Sequence, residues 1–81
     1  MSARVVYHLT HAQTDGRWHL KQVGGTEAGT FQTKEAGIAE GERLGHAHWA
    51  KGQLAQLVIH RQDGSIETEY TYGKDPRDIL G

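Results

Sequence analysis

Leu57-Val58-Ile59-His60-Arg61-Gln62-Asp63-Gly64-Ser65-Ile66-Glu67-Thr68-Glu69-Tyr70 is two strand-like runs joined by Asp-Gly. Asp-Gly accepts the positive φ angles of a type I′ turn, so the stretch predicts a β-hairpin. The strands are Leu54–Gln62 and Ser65–Tyr72. Pairing across Asp63-Gly64 sets Ile59 opposite Thr68, Leu57 opposite Tyr70 and His60 opposite Glu67. Ile66, Thr68, Tyr70 and Tyr72 then alternate against Glu67, Glu69 and Thr71. The dense apolar run Leu57-Val58-Ile59 predicts a central strand.

Asp-Gly recurs at Asp15-Gly16. It joins a predicted strand Val5–His11 to a second, Arg17–Val23. With Asp15 and Gly16 as a two-residue loop, Leu9 and Leu20 share a face, and His8 shares the other with Arg17, His19 and Lys21. Gly24 to Gly29 is a loop, and Thr30–Gln32 a short strand carrying Phe31. Thr33 is a natural N-cap for a helix from Lys34 to about Trp49 or Ala50. At 100° per residue, Gly37, Ile38, Gly41, Leu44, Gly45 and His48 line one helix face, and Ala39, Glu40, Arg43, His46 and Ala50 the other. Glycine at 37, 41 and 45 costs roughly 1 kcal/mol each relative to alanine. Something therefore packs close to this backbone. Helix-on-sheet packing under residues such as Trp18 and Tyr70 is favoured; a helix–helix seam between two copies is the alternative.

The predicted fold class is α+β, ordered β-β-β-α-β-β. The sheet is mainly antiparallel, with one helix packed on one face and the other face open. Its length predicts a single domain over residues 1–73, with 74–81 a flexible C-terminal tail. Of the 81 residues, 36% are hydrophobic and 23% charged, too apolar for a disordered chain. Cysteine is absent, which excludes disulfides and thiolate chemistry. A core this small often needs a metal or a partner, and here self-association is favoured. No stretch reads as a signal peptide or a membrane span, so the expected location is cytoplasmic and membrane binding is not expected.

Two parts of the chain together are similar to a known family. The first is Phe31-Gln32-Thr33-Lys34-Glu35-Ala36. The second is Val58-Ile59-His60-Arg61-Gln62-Asp63-Gly64-Ser65-Ile66, followed by Thr71-Tyr72-Gly73-Lys74-Asp75-Pro76. Their order and spacing resemble the bacterial family called domain of unknown function 2188. The resemblance covers nearly the whole chain. It implies a fold and no reaction. The chain departs from the family in having glycine where helical alanine is expected, and in a longer stretch from His46 to Gln53. The first half is also similar to the three-stranded sheet plus helix of integrase-type DNA-binding domains, in which the open sheet face reads DNA.

Enzyme signatures are missing, so neither catalysis nor a cofactor is expected. Ser2 and Ser65 are the only serines, and neither sits in a nucleophile elbow. Gly24, Gly25 and Gly29 form no phosphate loop. The binding candidates are Arg17, His19, Lys21, His8 and His60 on the open face. The first reading is a non-enzymatic interaction domain with an unknown protein partner or a second copy. It would pair through an edge strand, the open face or the glycine face. The alternative is a nucleic-acid accessory domain in which Arg17, His19 and Lys21 meet phosphates. The whole chain carries -1, however, with +2 over residues 1–34 and -3 over 35–81, which weighs against a polyanion partner. A third reading lets His8, His19 and His60 bind zinc with Glu67, although ordinary polar surface is preferred. His46 and His48 point to different helix faces.

Overall fold

The computed structural model describes residues 4–73; the predicted tail, 74–81, lies outside them. The elements are β1 (Val5–Ala12), β2 (Arg17–Gln22), β3 (Glu27–Phe31), α1 (Lys34–Ala50), β4 (Ala55–His60) and β5 (Ile66–Tyr72). They form one five-stranded sheet in the order β3-β2-β1-β4-β5. The predicted element order is present. The sheet is mixed, however, because β1 and β4 run parallel while the other neighbours are antiparallel. Counting directions across the sheet makes β3 parallel to β4. Helix α1 therefore carries the chain over β2 and β1, and at 1.5 Å per residue its 17 residues run about 25 Å. It touches all five strands. Strand β4 is interior, between β1 and β5, but β1 is the middle strand.

Thr33 caps the helix as expected: its hydroxyl accepts from the Ala36 N–H at 3.1 Å. Gly37, Gly41 and Gly45 are the buried residues of α1. Each lies on a sheet side chain. A Cβ at Gly37 would stand 2.6 Å from a Leu9 methyl, one at Gly41 2.8 Å from both Leu57 methyls, and one at Gly45 2.4 Å from the Tyr72 ring. The glycine row is thus the helix–sheet contact, and no surface is left there for a second copy. The residues above it are Leu9, Leu57 and Tyr72, not Trp18 and Tyr70. The core is Tyr7, Leu9, Trp18, Leu20, Ala55, Leu57, Ile59 and Tyr72, with Val5, Phe31, Ile38 and Leu44 packed against it.

Both turns differ from the type I′ expectation, because among the described residues no non-glycine residue has positive φ. The first loop is four residues long, 13–16, between Ala12 and Arg17. Gly16 (φ 68°) donates its N–H to the Ala12 carbonyl at 2.9 Å. The longer loop shifts the pairing so that Leu9 lies directly opposite Leu20. In the second turn Gly64 (φ 95°) donates to the Arg61 carbonyl, and Arg61 donates to the Ser65 carbonyl. That is a three-residue loop closed by a glycine bulge. Asp15 and Asp63 do their work through side chains, accepting the N–H of Arg17 and of Ser65, both at 2.9 Å.

A second irregularity follows between Ile59 and His60. Ile59 pairs with Thr68 and Leu57 with Tyr70, as predicted, but His60 pairs with Ile66 and Glu67 is the extra residue. The expected His60–Glu67 pair is not formed. Glu67 instead accepts from the Lys34 ammonium at the start of α1, and Ile66 joins His60 on the open face. Strand β3, which pairs with β2, begins at Glu27, inside the predicted loop.

Candidate functional site

The face not covered by α1 carries His8, Arg17, His19, Lys21 and His60, as the alternation predicts. The structure divides these five residues into two groups.

His19 belongs to a clamp. Its Nδ1 lies 2.9 Å from Glu27 Oε2 and its Nε2 lies 2.9 Å from Asp15 Oδ2. Carboxylates only accept, so both ring nitrogens donate and the imidazolium is the form that fits. The Glu27 hydrogen bond, and then that of Asp15, holds the His19 pKa above 6.5. Hydrogen bonds from Thr30 and His19 hold Glu27 below the usual carboxylate range. The Arg17 N–H, followed by His19, does the same for Asp15. Two acids thus stand beside the middle cation of the Arg17–His19–Lys21 stripe. The sequence reading missed both. Glu27 became legible only once β3 was extended to pair Lys21 with Glu27. Asp15 reaches His19 because the first loop is four residues long.

The second group is His8 with His60. His8 Nδ1 and His60 Nε2 are 2.8 Å apart, with ring centroids 5.0 Å apart. His60 Nδ1 lies 2.9 Å from the Gly64 carbonyl, so that nitrogen must donate. In the neutral pair His60 Nε2 is therefore the acceptor, and His8 Nδ1 donates to it. Burial, and then the His60 charge, pushes the His8 pKa below 6.5, while Glu69 acts in the other direction. Glu69 also accepts from Gln56 at 2.7 Å. His19 and Glu67 do not join this pair. Among the described residues no three or more His, Cys, Asp or Glu side chains are grouped to hold a metal ion.

The remaining histidines serve the covered side. His48 Nδ1 donates to Gln53 Oε1 and its Nε2 accepts from the Tyr7 hydroxyl, both at 2.8 Å. This ties the end of α1 to β1. His46 meets Tyr72 edge-on and stacks on Trp49. His11 lies edge-on to Trp18.

The family described as an uncharacterized protein conserved in bacteria, domain of unknown function 2188, matches residues 7–72. The chain belongs to this family. No curated protein and no solved structure matches it. The similarity of the first half to integrase-type DNA-binding domains is not supported by these comparisons. Within the DUF2188 match, the Phe-x-Thr-Lys-Glu motif supplies the N-cap Thr33 and the Lys34 that holds Glu67. The Asp-Gly-x-Ile motif supplies the bulged turn that brings the Gly64 carbonyl to His60. These two motifs are thus accounted for by capping and turn geometry, while the closing motif, Thr71 to Pro76, runs beyond the described residues. Among the described residues no helix is long and apolar enough to cross a membrane.

The two histidine groups respond to pH with opposite signs. His19 has a raised pKa, so its contribution is complete below 6.5 and fades as pH rises through the raised value. Asp15 and Glu27 are lowered, so their contribution is lost only in acid. His8 is lowered, so its contribution is full above 6.5 and falls as pH drops. Urea midpoints should show that His19→Gln removes the part of the wild-type stability that declines as pH rises above 6.5. Identical profiles for the two proteins in that window would contradict the clamp.

Proposed function

We propose that the chain is a non-enzymatic interaction domain that pairs with a second copy through the outer edge of β5. The observation that carries this reading is that edge and its aromatic backing. Strand β5 is seven residues long, lacks proline and lysine, and among the described residues has β4 as its one strand neighbour. The large apolar side chains left exposed among the described residues are Val23, Trp49, Ile66 and Tyr70, and two of these belong to β5. Trp49 stacks on His46, which rests on the buried Tyr72 of β5, so the end of α1 sets exposed aromatic rings beside the same edge. Tyrosine and tryptophan beside an unpaired strand edge are typical of surfaces that bind.

The other edge is less suited to pairing. Strand β3 has five residues, an irregular register with β2, and Gly29 covered by the Phe31 ring. Apart from Ile66 at its β5 margin, the open face offers little apolar area. Val58 is only 5% exposed there, Val6 is half-buried, and Val23 stands apart in the turn after β2. Asp15 and Glu27 beside His19 favour the protein partner over nucleic acid.

Light scattering during size-exclusion chromatography tests the proposal. The wild type should approach the dimer mass as concentration rises. Tyr70→Lys should keep its far-ultraviolet circular dichroism and remain a monomer at the same concentrations. A wild type that stays strictly monomeric at high concentration would overturn the reading, as would a Tyr70→Lys dimer.

A further inference from the structure

The parallel pairing of β1 and β4 sets His8 opposite Val58 on the open face. His60 lies two residues further along β4, on the same face. The diagonal brings His8 Nδ1 and His60 Nε2 to 2.8 Å with both rings on strand backbones. We propose that these two nitrogens form a chelating site for a late first-row divalent cation of the zinc, copper or nickel class. This inference is independent of the β5 pairing.

The geometry asks for a change in the two side chains and none in the strands that carry them. Metal–nitrogen bonds of about 2.0–2.1 Å place two adjacent ligand nitrogens roughly 3–3.4 Å apart, so the rings need to part by about half an ångström. The cation sits about 1.2 Å to one side of the line between the two nitrogens, so each ring also tilts to turn its lone pair by roughly 35°. His60 already has the tautomer of a ligand: its Nδ1–H is held by the Gly64 carbonyl, leaving the Nε2 lone pair aimed at His8. A backbone carbonyl on the far nitrogen is the usual support for a metal-bound imidazole. His8 needs only to move its hydrogen from Nδ1 to Nε2 through solvent, so no proton is released overall.

The surroundings set the class and strength of the site. Two imidazoles suit late transition metals rather than magnesium or calcium. Glu69, opposite Val58, supplies the nearby negative charge and is oriented by Gln56. Lys21 of β2 stands opposite His8 and Ile66 of β5 opposite His60. Lys21 opposes cation binding, and water completes the coordination, so binding is reversible and weaker than in a four-ligand structural site.

The test is a titration of the untagged full chain with zinc chloride at pH 7.5, followed by the imidazole nitrogen resonances. The shifts should saturate at one equivalent and be largest at His8 Nδ1 and His60 Nε2. His19 should not move, and magnesium should have no effect. His8→Gln and His60→Gln, each checked for an unchanged amide spectrum away from the site, should weaken binding at least tenfold, the scale of a lost ligand shell. Shifts centred on any other histidine would overturn the proposal, as would a response that does not saturate. Either folded variant retaining wild-type affinity would do the same. Should a variant fail to fold, the wild-type resonance map alone decides.

Discussion

Gly45→Ala is expected to destabilise the domain by about 2 kcal/mol, although alanine is the better helix former by roughly 1 kcal/mol. The added methyl would meet three atoms of one rigid ring: Tyr72 Cδ2 at 2.4 Å, Cε2 at 2.7 Å and Cγ at 2.8 Å. Cγ is the root of the ring, so rotation about the ring axis cannot relieve the contact. The ring is buried in the core and covered edge-on by His46. The helix must therefore lift or the strand must yield, and overpacking of this kind costs about 1–3 kcal/mol before the propensity gain is subtracted. Gly37→Ala should cost less, since its nearest obstacle is a Leu9 methyl at the end of a flexible side chain. Urea midpoints of the two variants check the order. A Gly45→Ala protein more stable than the wild type would mean that α1 rides higher on the sheet than described.

Leu57→Ala should cost about 2–5 kcal/mol, a large share of the roughly 5–15 kcal/mol that holds a domain together. Leu57 is fully buried, on β4 directly beneath the helix. Its pairing with Gly41 allows a sharper expectation. Both Leu57 methyls stand 2.8 Å from the position of a Gly41 Cβ. Truncating Leu57 removes the atoms that Gly41→Ala would strike, and the alanine methyl in turn fills part of the cavity. The double variant should therefore lose less than the two single variants added together, with a coupling of about 0.5–3 kcal/mol. Strict additivity would show that the two positions do not touch.

Much of this architecture is legible in the chain because hydrophobic alternation, glycine spacing and capping agree. Thr33 caps the helix, and Leu9 and Leu20 share a face. The glycines at 37, 41 and 45 report the close approach of the sheet. What the alternation misses lies in single-residue offsets. Asp-Gly suggests a two-residue loop, but the backbone at Asp15 and Asp63 keeps negative φ and each carboxylate accepts a backbone N–H instead. Longer loops result, and one extra residue before Thr68 moves Glu67 to Lys34 and Ile66 to the open face. Period-2 reasoning cannot see a bulge, because one inserted residue inverts the faces beyond it.

The candidate site was legible only as a face. Alternation collects His8, His19 and His60 there, but their partners depend on strand order. The parallel β1–β4 neighbours make His8 and His60 a pair. The early start of β3 gives His19 to Glu27 and Asp15. Neither arrangement follows from composition or motif spacing. The strand order also leaves β5 as the long outer strand, and the proposed pairing of two copies rests on that.

Amide hydrogen exchange, measured over a range of protein concentrations, tests that pairing most directly. The β5 N–H groups that point away from β4 face no other strand among the described residues. Their protection should rise with concentration over the range in which the mass doubles, while β3 amides remain unchanged. Protection of β5 that is independent of concentration, or a rise confined to β3 or to the His8–His60 face, would contradict the account.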